Sequence, residues 1–149
     1  MVRLTLLLCA LASVCQAQLT LQQRIEDRLR TSLGYEVSAF IRTEAEVGAI
    51  ACYQPFKESQ LRGAGALNVG FLPEPLGAAA TKALMRMKTE IDDFHVHGRE
   101  VYWLCKKKQS ESTFSNAVFE RTLKVRATFR SVSTVSRLAA KYAVSPAAV

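Results

Sequence analysis

Residues 94–104 read Phe94-His95-Val96-His97-Gly98-Arg99-Glu100-Val101-Tyr102-Trp103-Leu104. Phe94 and Val96 alternate with His95 and His97, the period of a strand with one apolar face. Gly98-Arg99 supplies a tight turn, and Val101 to Leu104 returns as the second arm of a hairpin. That hairpin decides the fold class. Helices and strands alternate along the rest of the chain, which alone would suit a parallel doubly wound sheet. An antiparallel pair inside that order argues for α+β, with a mixed sheet, the hairpin at about 94–104 and four to five helices.

Working back from the hairpin, Leu76, Ala80, Leu84, Met87 and Ile91 predict a helix across 76–91. Pro73 and Pro75 end a strand marked by Leu67, Val69 and Phe71. Residues 54–65 form a polar, Gly-containing loop. Thr43-Glu44-Ala45-Glu46 has capping-box spacing and opens a short helix to about Ala51. Val37, Ala39 and Ile41 share one face of an expected strand over 36–42. Thr20-Leu21-Gln22-Gln23 repeats the capping box. Leu21, Ile25, Leu29 and Leu33 then lay an apolar stripe along a helix over 21–33, and Gly34 fits its left-handed stop. Beyond the hairpin, helices over about 114–123 and 132–142 flank an extended link at Ala127–Arg130.

The first residues stand apart. Met1–Arg3 is a short positive start, Leu4–Val14 is almost wholly apolar, and Cys15-Gln16-Ala17 offers a small residue at a cleavage point. This is the pattern of a secretory signal peptide, cleaved after Ala17. The same run equally suits a buried strand or core helix, and it is too short to span a bilayer as a helix. Residues 1–18 are therefore read as an apolar head and 19–149 as a single α+β domain, with no integral membrane association. Cys9 and Cys15 belong to the head. Cys52 and Cys105 pair if the protein is exported and stay buried thiols if it is cytosolic.

The 149 residues carry a net charge of +7, unevenly spread. Residues 1–34 hold four basic and two acidic groups, 35–98 six and eight, and 99–149 ten and three. The excess thus gathers in the last third, and clustered cations suit a polyanionic partner such as nucleic acid. Lys106, Lys107 and Lys108 follow Tyr102 and Trp103, Arg121 shares a helix face with Lys124, and Arg137 shares one with Lys141. Arg126 and Arg130 fall in the link. Cations beside aromatics hold single strands by neutralising phosphates and stacking bases.

Catalytic chemistry finds little support. His95-x-His97 puts two imidazoles on one face of a strand, but a zinc site takes three or four protein ligands and no third is near in sequence. Asp92-Asp93 point to opposite faces if extended, so they are ill placed to share a proton. There is no Gly-rich phosphate loop, nucleophile elbow or CxxC pair. Neither a metal nor a cofactor is expected. Ser110, Ser112, Ser115, Ser131, Ser133 and Ser136 read as caps and surface positions.

Several short stretches carry a resemblance. They are Phe40-Ile41-Arg42-Thr43, Gln54-Pro55-Phe56, Asn68-Val69-Gly70-Phe71-Leu72, Gly98-Arg99-Glu100-Val101-Tyr102, Ser115-Asn116-Ala117-Val118-Phe119-Glu120-Arg121, Val125-Arg126-Ala127-Thr128 and Thr134-Val135-Ser136-Arg137-Leu138. In this order and spacing the chain from Leu21 to Tyr142 resembles the C-terminal two-thirds of the domain of unknown function 1697 family. The resemblance implies a small cytosolic α+β protein, the remnant of two subdomains of which the first is ferredoxin-like. It implies no reaction and no cofactor. The family's opening strand, helix and second strand have no counterpart, which leaves the expected strand at 37–41 short of partners. The head at Leu4–Val14 is expected to pack beside it. Before Asn116 the family tends to a Gly-x-Gly-Arg-Ser-Lys-like loop. The matching positions are Lys108-Gln109-Ser110-Glu111-Ser112-Thr113, with only Ser112 retained.

The reading that follows is a cytosolic, non-catalytic binding module whose basic last third engages an anion. Its candidate contacts are Lys106, Lys107, Lys108, Ser112, Asn116, Arg121, Lys124, Arg126, Arg130 and Arg137. One alternative is a small-molecule enzyme, or its degenerate remnant, with an anion site at the loop before Asn116. The other is an exported protein that loses its head.

Overall fold

The computed structural model describes residues 21–142. The head, its signal-like reading and the cap at Thr20 lie outside the described residues. The chain divides into two compact units, Met1–Arg42 and Thr43–Val149.

In the first unit residues 21–33 are helical (α1). Gly34 ends the helix at φ +78°, its N–H donating to the Arg30 carbonyl at 2.9 Å. A left-handed residue costs least where there is no Cβ, so the expected stop holds. Leu21, Ile25 and Leu33 of the apolar stripe are each more than a third exposed. Residues 36–42 join no strand of the described sheet. Alternation gives a segment two faces but not a ladder partner, and here a side chain serves instead: Ala39 N–H donates to Glu26 Oε1 at 2.8 Å.

The second unit runs α2 (Glu44–Cys52), α3 (Glu58–Arg62), β1 (Ala66–Phe71), α4 (Ala78–Met85), β2 (Asp92–His97), β3 (Glu100–Cys105), a 3₁₀ turn (Gln109–Glu111), α5 (Asn116–Leu123), β4 (Thr128–Ser131) and α6 (Val132–Tyr142). The fold is α+β, with six helices among the described residues. Its sheet has the order β2-β3-β1-β4, and all three pairings are antiparallel, where a mixed sheet was expected.

Three local differences from the sequence reading have identifiable causes. The expected helix to Ile91 stops at Met85 because Thr89 Oγ1 accepts from the N–H groups of Ile91 and Asp92, closing a turn that competes with helix. The loop at 54–65 contains α3, whose N-terminus is tied by Gln60 Oε1 accepting from Lys57 N–H at 3.0 Å. The link at Ala127–Arg130 becomes β4, an edge strand against β1. Thr43 and Glu46 form the expected capping box on α2.

Helices cover both faces of the sheet. On one face Leu84 of α4 and Phe119 and Leu123 of α5 pack with Phe94, Val101, Trp103 and Cys105. On the other, Ile50 of α2 and Val135 of α6 pack with Val69, Tyr102 and Leu104. Every residue of β3 is buried, as a central strand sandwiched between two helical layers requires. Cys105 sits in the core and Cys52 is exposed, and both are free thiols.

Candidate functional site

Burial on both faces decides the fate of the hairpin aromatics. Tyr102 and Trp103 are 1% and 5% exposed, pointing into opposite layers. The Tyr102 hydroxyl donates to the Ile50 carbonyl at 3.3 Å, and burial pushes its pKa well above the usual phenol value. Trp103 Nε1 donates to Asp92 Oδ1 at 2.8 Å. Neither ring offers a platform for a base.

The loop before Asn116 is tied down by the same carboxylate. Ser112 Oγ lies 2.9 Å from both oxygens of Asp92 and accepts from Phe114 N–H. Thr89 Oγ1 adds a third donor at 3.1 Å. Asp92 is 1% exposed, so this knot is a satisfied polar cluster inside the core. The Ser112 hydroxyl is spent on an anion the protein already contains. Asn116 is the exposed first residue of α5, whose N-cap is Ser115. Glu111 closes the 3₁₀ turn by accepting from Lys108 N–H at 3.2 Å. Asp92 and Asp93 do face apart: Asp93 pairs with Lys88 at 2.5 Å.

The cations scatter. Lys106 Nζ donates to the Glu90 carbonyl at 2.9 Å, and Lys107 is exposed beside it. Arg121 lies exposed on α5, but Lys124 is its left-handed cap at φ 57°, past the helix, so the two share no helix face. Arg126 is exposed before β4. Arg137 lies exposed on α6 with a guanidinium nitrogen 3.4 Å from Thr134 Oγ1. Among the ten expected contacts, Lys108 and Arg130 line one cleft together.

That cleft, of about 810 Å³, opens where β1 begins and β4 passes into α6. Gly65 and the start of β1 through Asn68 line it, together with Lys108 and Gln109 from the segment after β3 and Phe129 to Ser133 from β4 and the start of α6. Two cations and no carboxylate line it. The loop reaches the strand because Gly65 has no side chain: a Cβ there would lie 2.1 Å from the Lys107 carbonyl oxygen. Gly65 N–H donates to the Cys105 carbonyl, fixing the approach. Ser131 Oγ accepts from Thr134 N–H at 3.3 Å, the capping role expected of it, and lies within 3.0 Å of the Ser133 and Thr134 hydroxyls.

Asn68 was not among the expected contacts. Leu67, Val69 and Phe71 mark one apolar face, which makes Asn68 look outward-facing. In the structure it is 5% exposed, between Trp103 and Ser131 on the neighbouring strands. An Asn inside a strand is itself the available signal, since the residue is depleted there.

The two histidines lie on the α2 side of β2. Tyr53 OH and His95 Nε2 are 2.9 Å apart, and the Tyr53 ring stacks on His97 with centroids 4.1 Å apart. Burial, then the neighbouring His97 and Lys88 charges, lower the His95 pKa below 6.5, with Asp93 opposing. No group of three or more His, Cys, Asp or Glu suited to a metal ion occurs among the described residues.

The family model described as "Protein of unknown function (DUF1697)" matches residues 11–102. The chain belongs to this family. No curated protein and no solved structure matches the chain. The family match takes in the end of the head, β1 with Asn68, and the hairpin up to Tyr102. Lys108, Arg130 and α6 lie past the matched stretch, so the cleft joins residues 65–68 within the DUF1697 match to residues outside it.

Proposed function

We propose that this protein is a non-catalytic binding module whose basic last third engages an anionic partner, a nucleic acid strand being the partner that best suits the charge. The observation that carries the reading is the cleft lined by Lys108 and Arg130 without any carboxylate. The exposure of Lys107, Arg121, Arg126 and Arg137 supports it, because cations spread over a surface suit a chain of phosphates. The burial of Tyr102 and Trp103 takes these two rings out of base stacking and leaves the surface cations to act through backbone charge. The same reading places the protein in the cytosol, supported by Cys52 and Cys105 being free thiols. No helix among the described residues is long and apolar enough to cross a membrane.

The test is fluorescence anisotropy with a labelled single-stranded oligonucleotide across a salt series. Affinity is expected to fall linearly on a double logarithmic plot, with a slope of about −0.7 per phosphate neutralised. Absence of binding at the lowest salt would remove the reading.

A further inference from the structure

Asn68 Nδ2 is a buried donor with no hydrogen-bond partner among the described residues. An amide left unpaired in an apolar surrounding is costly, and native proteins keep few of them. The side chains across the ladder on either side do not supply the missing acceptor. Trp103 across the ladder carries only an N–H, already given to Asp92. The Ser131 hydroxyl on the other side is engaged by the first turn of α6 and by the Ser133 and Thr134 hydroxyls. Asn68 thus lines the cleft while its buried donor is uncommitted.

The rest of the cleft presents the same sign. The chain enters α6 there through Val132 and Ser133. This helix has eleven residues and no acidic side chain in its first turn. A helix N-terminus concentrates positive partial charge and unpaired N–H groups. Lys108 and Arg130 both line the cleft. One Arg130 guanidinium nitrogen donates to the Phe129 carbonyl at 2.8 Å, which leaves other donors of the planar fork for a ligand. Two flanking cations suit a dianion better than a single carboxylate.

We propose that the cleft above Asn68 is a binding site for one phosphate-class oxyanion, free or at the end of an ester. The Asn68 amide is its inner donor, and Lys108 and Arg130 are its flanking charges. The proposal deepens the binding-module reading and rests on it for the sign of the ligand. The site is a narrower claim than a basic surface, because it names one buried donor that a surface-spread polyanion would not need.

The test uses the full chain and inorganic phosphate at constant ionic strength, followed by amide-resolved NMR, with acetate as a monoanionic comparison. Phosphate is expected to shift the Asn68 side-chain amide and the Val132 and Ser133 backbone signals in a saturable way, and acetate to do so more weakly. Asn68→Leu is expected to weaken phosphate by about tenfold or more, while Lys82→Gln, exposed on α4 and outside the cleft, leaves it unchanged. Should the Asn68 variant not fold, Lys108→Gln with Arg130→Gln carries the same expectation. Shifts that spare Asn68, or variants that bind phosphate as the native chain does, overturn the site. An oligonucleotide with a 5′-phosphate is then compared with one lacking it. Competition with inorganic phosphate by the first alone identifies a terminal ester as a source, and competition by neither leaves the free ion as the ligand. Salt-dependent oligonucleotide binding that ignores both cleft variants overturns the site while sparing the broader reading. Phosphate binding at Asn68 without oligonucleotide affinity supports the site while removing the nucleic-acid reading.

Discussion

Ser112 Oγ stands 2.9 Å from each carboxylate oxygen of Asp92, twenty residues earlier in the chain. With Trp103 Nε1 and Thr89 Oγ1 it completes a set of three neutral donors around this buried acceptor. The knot pins the base of the β2–β3 hairpin to the segment leading into α5.

Removing the acceptor strands the donors. Asp92→Ala is expected to lower stability by about 3 kcal/mol, since a buried Trp N–H and two hydroxyls lose their partner together. Ser112→Ala removes one donor and leaves the others, so about 1 kcal/mol is expected. Urea unfolding of both variants and of the pair checks this. The double variant is expected to cost less than the sum, because Ser112 has nothing to donate to once Asp92 is gone.

Asn68→Leu is expected to move stability the other way. Replacing an unpaired buried amide by an apolar side chain of similar size removes a desolvation cost, a gain of about 1–2 kcal/mol. Thermal unfolding without added phosphate measures it. A gain in stability together with lost phosphate affinity is the signature of a residue retained for a ligand.

Gly65→Ala is expected to displace the segment carrying Lys106, Lys107 and Lys108. The new methyl would meet the Lys107 carbonyl carbon at 2.5 Å as well as its oxygen, and both are backbone atoms that cannot rotate away. The expected cost is about 1–3 kcal/mol, with weaker phosphate binding because Lys108 moves with the loop. Unfolding and phosphate titration of the variant read the two effects separately.

His95 makes stability depend on pH. Its folded pKa lies below the unfolded value of 6.5, chiefly through burial, so the unfolded chain takes up a proton first as pH falls. This contribution is therefore whole above 6.5 and is lost as pH drops from there toward the folded pKa. Melting temperature against pH is expected to decline through that window. His95→Gln is expected to flatten the decline.

Much of the fold was legible in local chemistry. The hairpin followed from Gly98, which adopts φ +56°, and from the two-residue period on either side. The Thr43–Glu46 box and the Gly34 stop likewise depend on groups a few residues apart. Two of the misreadings involve a distant partner. Val37, Ala39 and Ile41 have the pattern of a strand without a ladder in the described sheet, and Thr128–Ser131 became a strand because β1 lay open beside it. Periodicity reports which faces a segment has, whereas pairing is settled by what arrives next to it.

The candidate site divides the same way. Sequence by itself determined the sign and address of the charge, because composition along the chain is a local property: the cations of the last third include Lys108 and Arg130. It also determined the hairpin and the capped helices. Tertiary structure alone decided which cations meet, that Trp103 and Tyr102 face the core, and that Ser112 serves Asp92. It alone buried Asn68, since a strand position becomes interior only when other elements cover the face it points to. That residues 68, 108 and 130 line one cleft is a matter of packing, which no spacing along the chain encodes.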